Sequence, residues 1–467
     1  MTKEREANTG LPALDYTPWL HGFLHHEIVG PVLLLTAAVA AMLTVNLGGA
    51  EWYEHFWHQD LGLALGERTI VQSLHHWVND GLMAIFFFVV GLEIKRELLA
   101  GELATRRKAL LPAAAALGGM LGPALVYLSF NFGGEGQHGW GIPMATDIAF
   151  AAGCLALLKG RVSPALMVFL TALAIVDDLG AVAVIALFYT DTIHVQPLLI
   201  GATLIIFSFI LGQFGVRAMW PYGLVGLIVW AAFLQSGIHA TVAGVLLALS
   251  IPHTARYETH NFAARMRTLL HRFDDAEREW DKEGRKPIQD VIVNSRQQAL
   301  LRSMLDEVHH VEAPLQRLER NLEPLIVFIV LPLFAFANAG VQIDWVNLGY
   351  RFYEPVTLGA FVGLVAGKPV GVFLVSWLVV KAGFAELPRG VTWFQMFGVG
   401  MLAGIGFTMS LFVNGLAFVG SEPSVAERLA VDGKVGVFLA SIVSAVLGLA
   451  FLRIASGRGA VRRRETA

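Results

Sequence analysis

TALAIVDDLGAVAVIALFYT, residues 171–190, sets two adjacent carboxylates inside a run otherwise fit to cross a bilayer. No charge occurs in the thirteen residues from Pro164 to Val176 or in the twelve from Leu179 to Thr190. A hydrocarbon core about 30 Å thick takes roughly 20 apolar helical residues to cross. An Asp at the centre of such a helix costs about 2.5–3.5 kcal/mol. Asp177 and Asp178 therefore need a reason to be there.

Runs of this kind recur along the 467 residues, of which 55% are hydrophobic and 15% charged, with a mean hydropathy of +0.59. Soluble domains sit nearer 45–50% apolar and about 25% charged, so the chain reads as an all-α polytopic membrane protein. The net charge of −3 carries no message about nucleic acid, because nearly all the charges lie in loops and tails. A single cysteine, Cys154, excludes an intrachain disulfide. The first apolar run, Ile28 to Leu47, holds an Ala38-Val39-Ala40 that resembles a signal-peptidase site. The run continues past it, and the stretch before it mixes acidic with basic residues, so it reads as the first membrane helix.

Twelve apolar windows are expected as helices, near 28–47, 74–94, 109–130, 141–158, 164–189, 196–216, 218–235, 237–252, 323–340, 356–380, 393–418 and 434–454. An even number puts both ends on one side. With the N-terminus inside, the short inner segments carry 17 basic residues against four outside (Arg68, Arg351, Arg428 and Lys434). The positive-inside rule then makes both termini cytoplasmic. The expected organisation is a cytoplasmic segment (1–27), helices one to eight (28–252), a cytoplasmic helical insert (253–322), helices nine to twelve (323–454) and a basic tail (455–467). Residues 56–72, FWHQDLGLALGERTIVQ, alternate and turn at Gly66-Glu67-Arg68, which predicts a small external β-hairpin. In the insert, QQALLRSMLDEVHHV puts Leu300, Leu301, Met304, Leu305 and Val308 on one helical face. Its histidines, His271, His309 and His310, read as a solvated face rather than metal ligands.

Charge well inside the apolar windows is confined to Asp147, Asp177, Asp178 and Lys368. Uncompensated, these would cost roughly 10–14 kcal/mol, as much as the net stability of a typical domain. They must face one another or a water-filled cavity. Neighbouring helical residues point about 100° apart, so Asp177 and Asp178 cannot share one task. Lys368 is the natural counter-ion for one of them. GIPMATDIAFAAG and AGIGFTMS each interrupt an apolar window, the fourth and the eleventh. A broken helix exposes backbone groups, tolerated only where they are buried in protein or line a cavity. The correspondence of the two breaks predicts an inverted repeat of windows three to five against ten to twelve.

These residues resemble the NhaA-type sodium/proton antiporter family. WVNDGLMAIFFFVVGLEIKREL, ATDIAFAAG, ALAIVDDLGAV, SGIHATVAG, LPLFAFANAG, GKPVG and GIGFTMSLF occur in the family's order over nearly the whole chain. Inverted repeats and discontinuous helices are the general description of such transporters, this family included, so that geometry comes with the resemblance. The resemblance implies Asp178 as the main cation ligand and Asp177 as the carboxylate paired with Lys368. It makes Thr146 and Asp147 the polar centre of two crossed, unwound helices, and sodium a ligand of Asp178, Asp177 and Thr146. Asp80 supports the site, as do Gly404 and Gly406. Glu93, Glu97 and His239 belong to a cytoplasmic, pH-responsive region, with Glu319 a matching glutamate. The hairpin resembles a homodimer contact, and the location implied is the bacterial inner membrane. Two departures stand out. The link between windows eight and nine is long, and Arg320 and Glu323 stand where some members have histidines.

Sodium is a hard cation that takes oxygen ligands, as related hard ions do, and lithium takes the same set. Close carboxylates titrate as a pair, and a protonated carboxyl has lost the charge that binds a cation. Proton and sodium therefore compete for one site, and alternating exposure turns competition into exchange. No cofactor and no covalent step is required. The rival enzymatic reading, an intramembrane aspartyl protease, calls for a GxGD motif that is absent around AIVDDLG. A channel or cation symporter is a second rival, separable by sodium-driven proton flux.

Overall fold

The computed structural model describes residues 29–65, 68–190, 192–254, 259–282, 295–342 and 348–465. The expected N-terminal segment, the hairpin tip at Gly66 and Glu67, and parts of the expected insert lie outside the described residues.

Helix α1 (Val29–Trp57) carries a wide turn at Val45–Gly49, where Gly48 adopts φ 99°. That left-handed value suits a residue without a Cβ. Strands β1 (Asp60–Leu65) and β2 (Arg68–Ser73) follow, paired antiparallel with Leu65 opposite Arg68. Ser73 then caps α2 (Leu74–Ala100) by accepting from the His76 amide. Next comes α3 (Arg106–Asn131). The fourth window, 141–158, where the sequence marks an interruption, is split. A 3₁₀ segment, Glu135–Met144, passes through extended residues at Ala145 and Asp147 into the short α4 (Ile148–Ala156). Pro143 and the polar pair Thr146-Asp147 interrupt the α-helical ladder there. Ser163 caps α5 (Pro164–Phe188), with Pro164 in the first turn, a position where a missing N–H costs nothing.

Helix α6 (Val195–Gln213) precedes two shorter apolar helices, α7 (Trp220–Ser236) and α8 (Ala240–Ser250). Gly237, at φ 84°, ends the first of them. Two polar amphipathic helices, α9 (Thr259–Lys282) and α10 (Ser295–Val311), pack on each other and share an Arg265–Glu307 ion pair at 3.2 Å. Helix α11 (Pro314–Asn338) begins at Pro314 rather than near 323, so PLQRLERNLEP is its first three turns and not part of a loop. The chain ends with α12 (Pro355–Lys381), α13 (Trp393–Ala403), α14 (Phe407–Ala417) and α15 (Pro423–Glu465).

Among the described residues, eight helices are long and apolar enough to cross a membrane: α1, α2, α3, α5, α6, α11, α12 and α15 through Ser456. Helices α13 and α14 meet at a 49° bend, and as one broken span make a ninth. This is a multi-pass membrane protein. Its surface fits that setting, with Leu199, Ile206, Phe207 and Phe209 of α6 all exposed, as apolar side chains facing lipid would be. Close helix packing rests on small residues, the usual solution where lipid competes for apolar contact. A Cβ on Gly122 would meet the Gly367 carbonyl at 2.5 Å, which draws α3 against α12. A Cβ on Gly91 would meet Ala248 at 2.7 Å, which draws α2 against α8.

Candidate functional site

The two breaks, α4's and that between α13 and α14, meet in the interior. The Asp147 amide donates to the Ile405 carbonyl at 2.7 Å. The Asp147 side chain caps α4, with Oδ1 accepting from the Phe150 amide at 2.9 Å. Its other oxygen accepts from the Thr408 amide at 3.2 Å and the Thr408 hydroxyl at 2.5 Å. Thr146 Oγ1 lies 2.9 Å from the Ala403 carbonyl and 2.7 Å from Asp177 Oδ2, and its one proton serves them in turn. Backbone groups freed by each break are thus answered by the other break and by side chains beside it, as a dry interior requires.

Asp177, Asp178, Lys368 and Thr146 are all fully buried. Lys368 Nζ donates to Asp177 Oδ2 at 2.6 Å and also to the Met144 carbonyl, just before the first break. Asp178, one residue on, points elsewhere. Neither of its oxygens has a protein hydrogen-bond partner, and Asp177 Oδ1 has none. Asp178 lies within electrostatic reach of Asp177, Glu93, Asp147 and Lys368. A buried ionised carboxylate with no donors is costly, and a cation or a proton is what would offset that cost. Three unpartnered oxygens on two carboxylates are the donor set that a hard monovalent cation takes. Gly404 permits the second break's close seating, since a Cβ there would meet the Leu364 carbonyl and Ser444 Oγ. A Cβ on Gly406 would collide with Ser410 Oγ.

The remaining candidates fall into two groups. Glu93, Glu97 and Glu319 gather round Arg96, whose nitrogens lie 3.8, 3.2 and 3.0 Å from them respectively. His239 is not in that group. Its Nε2 pairs with Asp80 Oδ1 at 3.0 Å, while His76 holds Asp80 Oδ2 at 2.6 Å. Asp80 and Glu93 are thirteen residues apart on α2, about 20 Å at 1.5 Å per residue. A histidine that opens a helix can face either of two neighbours, and Asp80 takes this one. His271 is exposed, while the side chains of His309 and His310 lie outside the described residues. Among the described residues no group of three or more His, Cys, Asp or Glu side chains is placed to hold a metal.

Sequence reasoning missed Thr408, Arg96, His76 and the carbonyls of Met144 and Ala403. Thr408 had a signal: a hydroxyl two residues after Gly406, at the start of a half-helix, where side-chain contacts replace backbone ones. The carbonyls had none, because any residue supplies one.

The description Na+/H+ antiporter 1 matches residues 21–452 of this chain. The Na(+)/H(+) antiporter NhaA of Sulfurimonas denitrificans is 43% identical over 451 residues, covering 94% of this chain and 98% of its own. The Na(+)/H(+) antiporter NhaA 1 of Saccharophagus degradans is 45% identical over 435 residues, 93% of this chain and 91% of its own. The Na(+)/H(+) antiporter NhaA of Acidithiobacillus ferrooxidans is 45% identical over 437 residues, 92% and 96% respectively. The chain belongs to the Na+/H+ antiporter 1 family, and so to the transporters rather than the enzymes.

Proposed function

We propose that this antiporter-family chain exchanges cytoplasmic sodium, and lithium by the same ligands, for external protons across the bacterial inner membrane. Asp178 is the main cation ligand, with Asp177 Oδ1 and Thr146 beside it, and Lys368 neutralises Asp177. The observation that carries the reading is the unequal treatment of the two adjacent carboxylates: Asp177 is ion-paired, Asp178 is buried with both oxygens free. With Lys368 protonated, the set holds a single uncompensated negative charge, which one sodium or one proton satisfies. Competition at that charge, with exposure alternating between the two sides, couples the proton gradient to sodium extrusion.

The wider architecture we propose is twelve spans. These are the nine apolar spans, α7, α8, and the 3₁₀ segment with α4 taken as one crossing. Helix α3 to α5 and α12 to α15 form the inverted repeat, with the two broken segments crossing where Asp147 meets Thr408. Both termini are then cytoplasmic. The Arg96 cluster with Glu93, Glu97 and Glu319 sets the pH response from the cytoplasmic end of α2, and the Asp80–His239 pair tunes it from the other end. Strands β1 and β2 mediate a homodimer on the external face. Helices α9 and α10 form a cytoplasmic insert. The test is proton flux in proteoliposomes on addition of sodium, lithium or potassium. Sodium and lithium should collapse an imposed pH gradient and potassium should not. A chain that moves sodium without counter-moving protons is a channel or symporter.

A further inference from the structure

The half-helix α14 starts at the second break, so its first amides have no partner within the helix. Two outside groups take them. Asp147 accepts from the Thr408 amide, and Ser441 Oγ on α15 accepts from the Phe407 amide at 3.1 Å. The Ser441 hydroxyl proton is already committed, donating to the Val437 carbonyl at 2.8 Å one turn back. Its oxygen is therefore held in one orientation, facing the helix start. Other parts of the α15 face follow the same break. Phe438 packs on Phe407 at 5.7 Å between ring centroids, and a Cβ on Gly404 would come within 2.8 Å of Ser444 Oγ. Ser441 is buried and touches neither Asp177 nor Asp178 through any hydrogen bond.

We propose that Ser441 is a positioning residue of the transport site: by fixing the first amide of α14, it holds Thr408 against Asp147. The chain of contacts is short. Ser441 holds Phe407, Phe407 precedes Thr408, and both the amide and the hydroxyl of Thr408 meet Asp147 Oδ2. Asp147 in turn caps α4 and bonds to Ile405, so the relative placement of both breaks depends on the same junction. A hydroxyl with its proton committed elsewhere is a pure acceptor and adds no charge to a site whose charge balance matters. The proposal rests on the reading of Asp147 as part of the ion site.

The test is sodium-dependent proton flux of the full chain in proteoliposomes, comparing Ser441→Ala with a Ser376→Ala control. Ser376 Oγ is buried on α12 without a partner, so its removal controls for loss of a buried hydroxyl. Ser441→Ala should raise the apparent KM for sodium roughly five- to tenfold with Vmax within about twofold, as loss of one hydrogen bond in site geometry would. It should also move the pH midpoint, whereas Ser376→Ala matches the unaltered protein. In a Thr408→Val background the Ser441→Ala effect should shrink, since Val removes the hydroxyl half of the Thr408–Asp147 contact and leaves the amide half. A Ser441→Ala KM and midpoint equal to the control, or an undiminished KM rise in the Thr408→Val background, overturns the proposal. Should Ser441→Ala fail to insert, Ser441→Cys, a weaker acceptor, should show a smaller KM rise, and an unchanged KM refutes it. Asp178→Asn in the same liposomes separates the two readings. If it still exchanges, the ion-site reading fails whatever Ser441 does; if it is inactive while Ser441→Ala is normal, only the Ser441 role falls.

Discussion

Raising pH should strengthen apparent sodium binding about tenfold per unit over the range in which the site is protonated, then level off. The magnitude comes from counting charges in the interior. Asp147 is answered by the Phe150 amide and by the amide and hydroxyl of Thr408, and Asp177 by Lys368 at 2.6 Å. Only Asp178 lacks both a counter-charge and a donor among these groups. One proton must therefore leave for one sodium to bind, and the linked equilibrium changes by about 1.36 kcal/mol per pH unit. The sign is fixed as well. Protons are the competitor, so apparent KM falls as pH rises, and Vmax varies much less. The assay is sodium dependence of proton flux in proteoliposomes at half-unit pH steps. Neutral substitutions at Glu93, Glu97, Glu319 or His239 should shift the midpoint and leave the slope, because none of them hydrogen-bonds Asp178. A hundredfold change per unit would mean that Lys368 gives up its proton too. An apparent KM that stays flat from acid to alkaline pH, with only Vmax changing, would put the pH response in a separate gate and sink the shared site.

Asp178→Asn should abolish exchange while leaving the chain inserted and its thermal midpoint no lower, since it removes a buried charge without changing shape; robust exchange would end its assignment as ligand. Lys368→Ala should lower stability by about 3–5 kcal/mol, the usual result of stranding one partner of a buried pair, read as an earlier thermal transition in detergent. The double substitution Asp177→Asn with Lys368→Met should recover most of that loss, and an unchanged transition in the single variant would mean the pair contributes nothing. Removing residues 256–311, which takes out the whole of α9 and α10, should preserve sodium-driven proton flux, because no group that touches the buried carboxylates among the described residues lies there. An inserted but inactive deletion would show that this segment is part of the transport path.

Much of the site was legible because membranes penalise charge. In water a buried Asp is one polar residue among many, whereas inside an apolar run it stands out on the page. Asp147, Asp177, Asp178 and Lys368 were marked by that cost alone, and the Lys368 partner followed from the scarcity of buried cations. The 100° step between neighbours said that Asp177 and Asp178 would differ, but not which one Lys368 would take, since that depends on where α12 lies relative to α5. The breaks were legible as proline and glycine punctuation, yet their lengths were not. The non-α stretch at the fourth window runs from Glu135 to Asp147, and its extent was hidden because Ile, Met and Ala are as apolar in a 3₁₀ turn or an extended step as in an α-helix, and hydropathy does not register backbone geometry.

His239 shows where such reading stops. The family resemblance placed it with Glu93 and Glu97, but a resemblance between sequences is one-dimensional and a bundle is not. Asp80 and His239 are far apart in sequence and meet because α2 and α8 pack closely in parallel, through Gly244 and Ala84 and through Gly91 and Ala248. The same holds for Thr408, 261 residues from Asp147, and for Ser441, which no charge or helix break advertises. A hydroxyl in an apolar helix usually returns its proton to its own backbone, as Ser441 does with Val437. What separates it from Thr36 or Thr203, which donate to Val32 and Leu199 in the same way, is only what faces its lone pairs. Thr36 and Thr203 lie in exposed settings, and Ser441 faces an orphaned amide at the second break. Charged members of a membrane site are marked by their cost; neutral ones are marked only by the backbone they complete, and that backbone exists only once the helices have met.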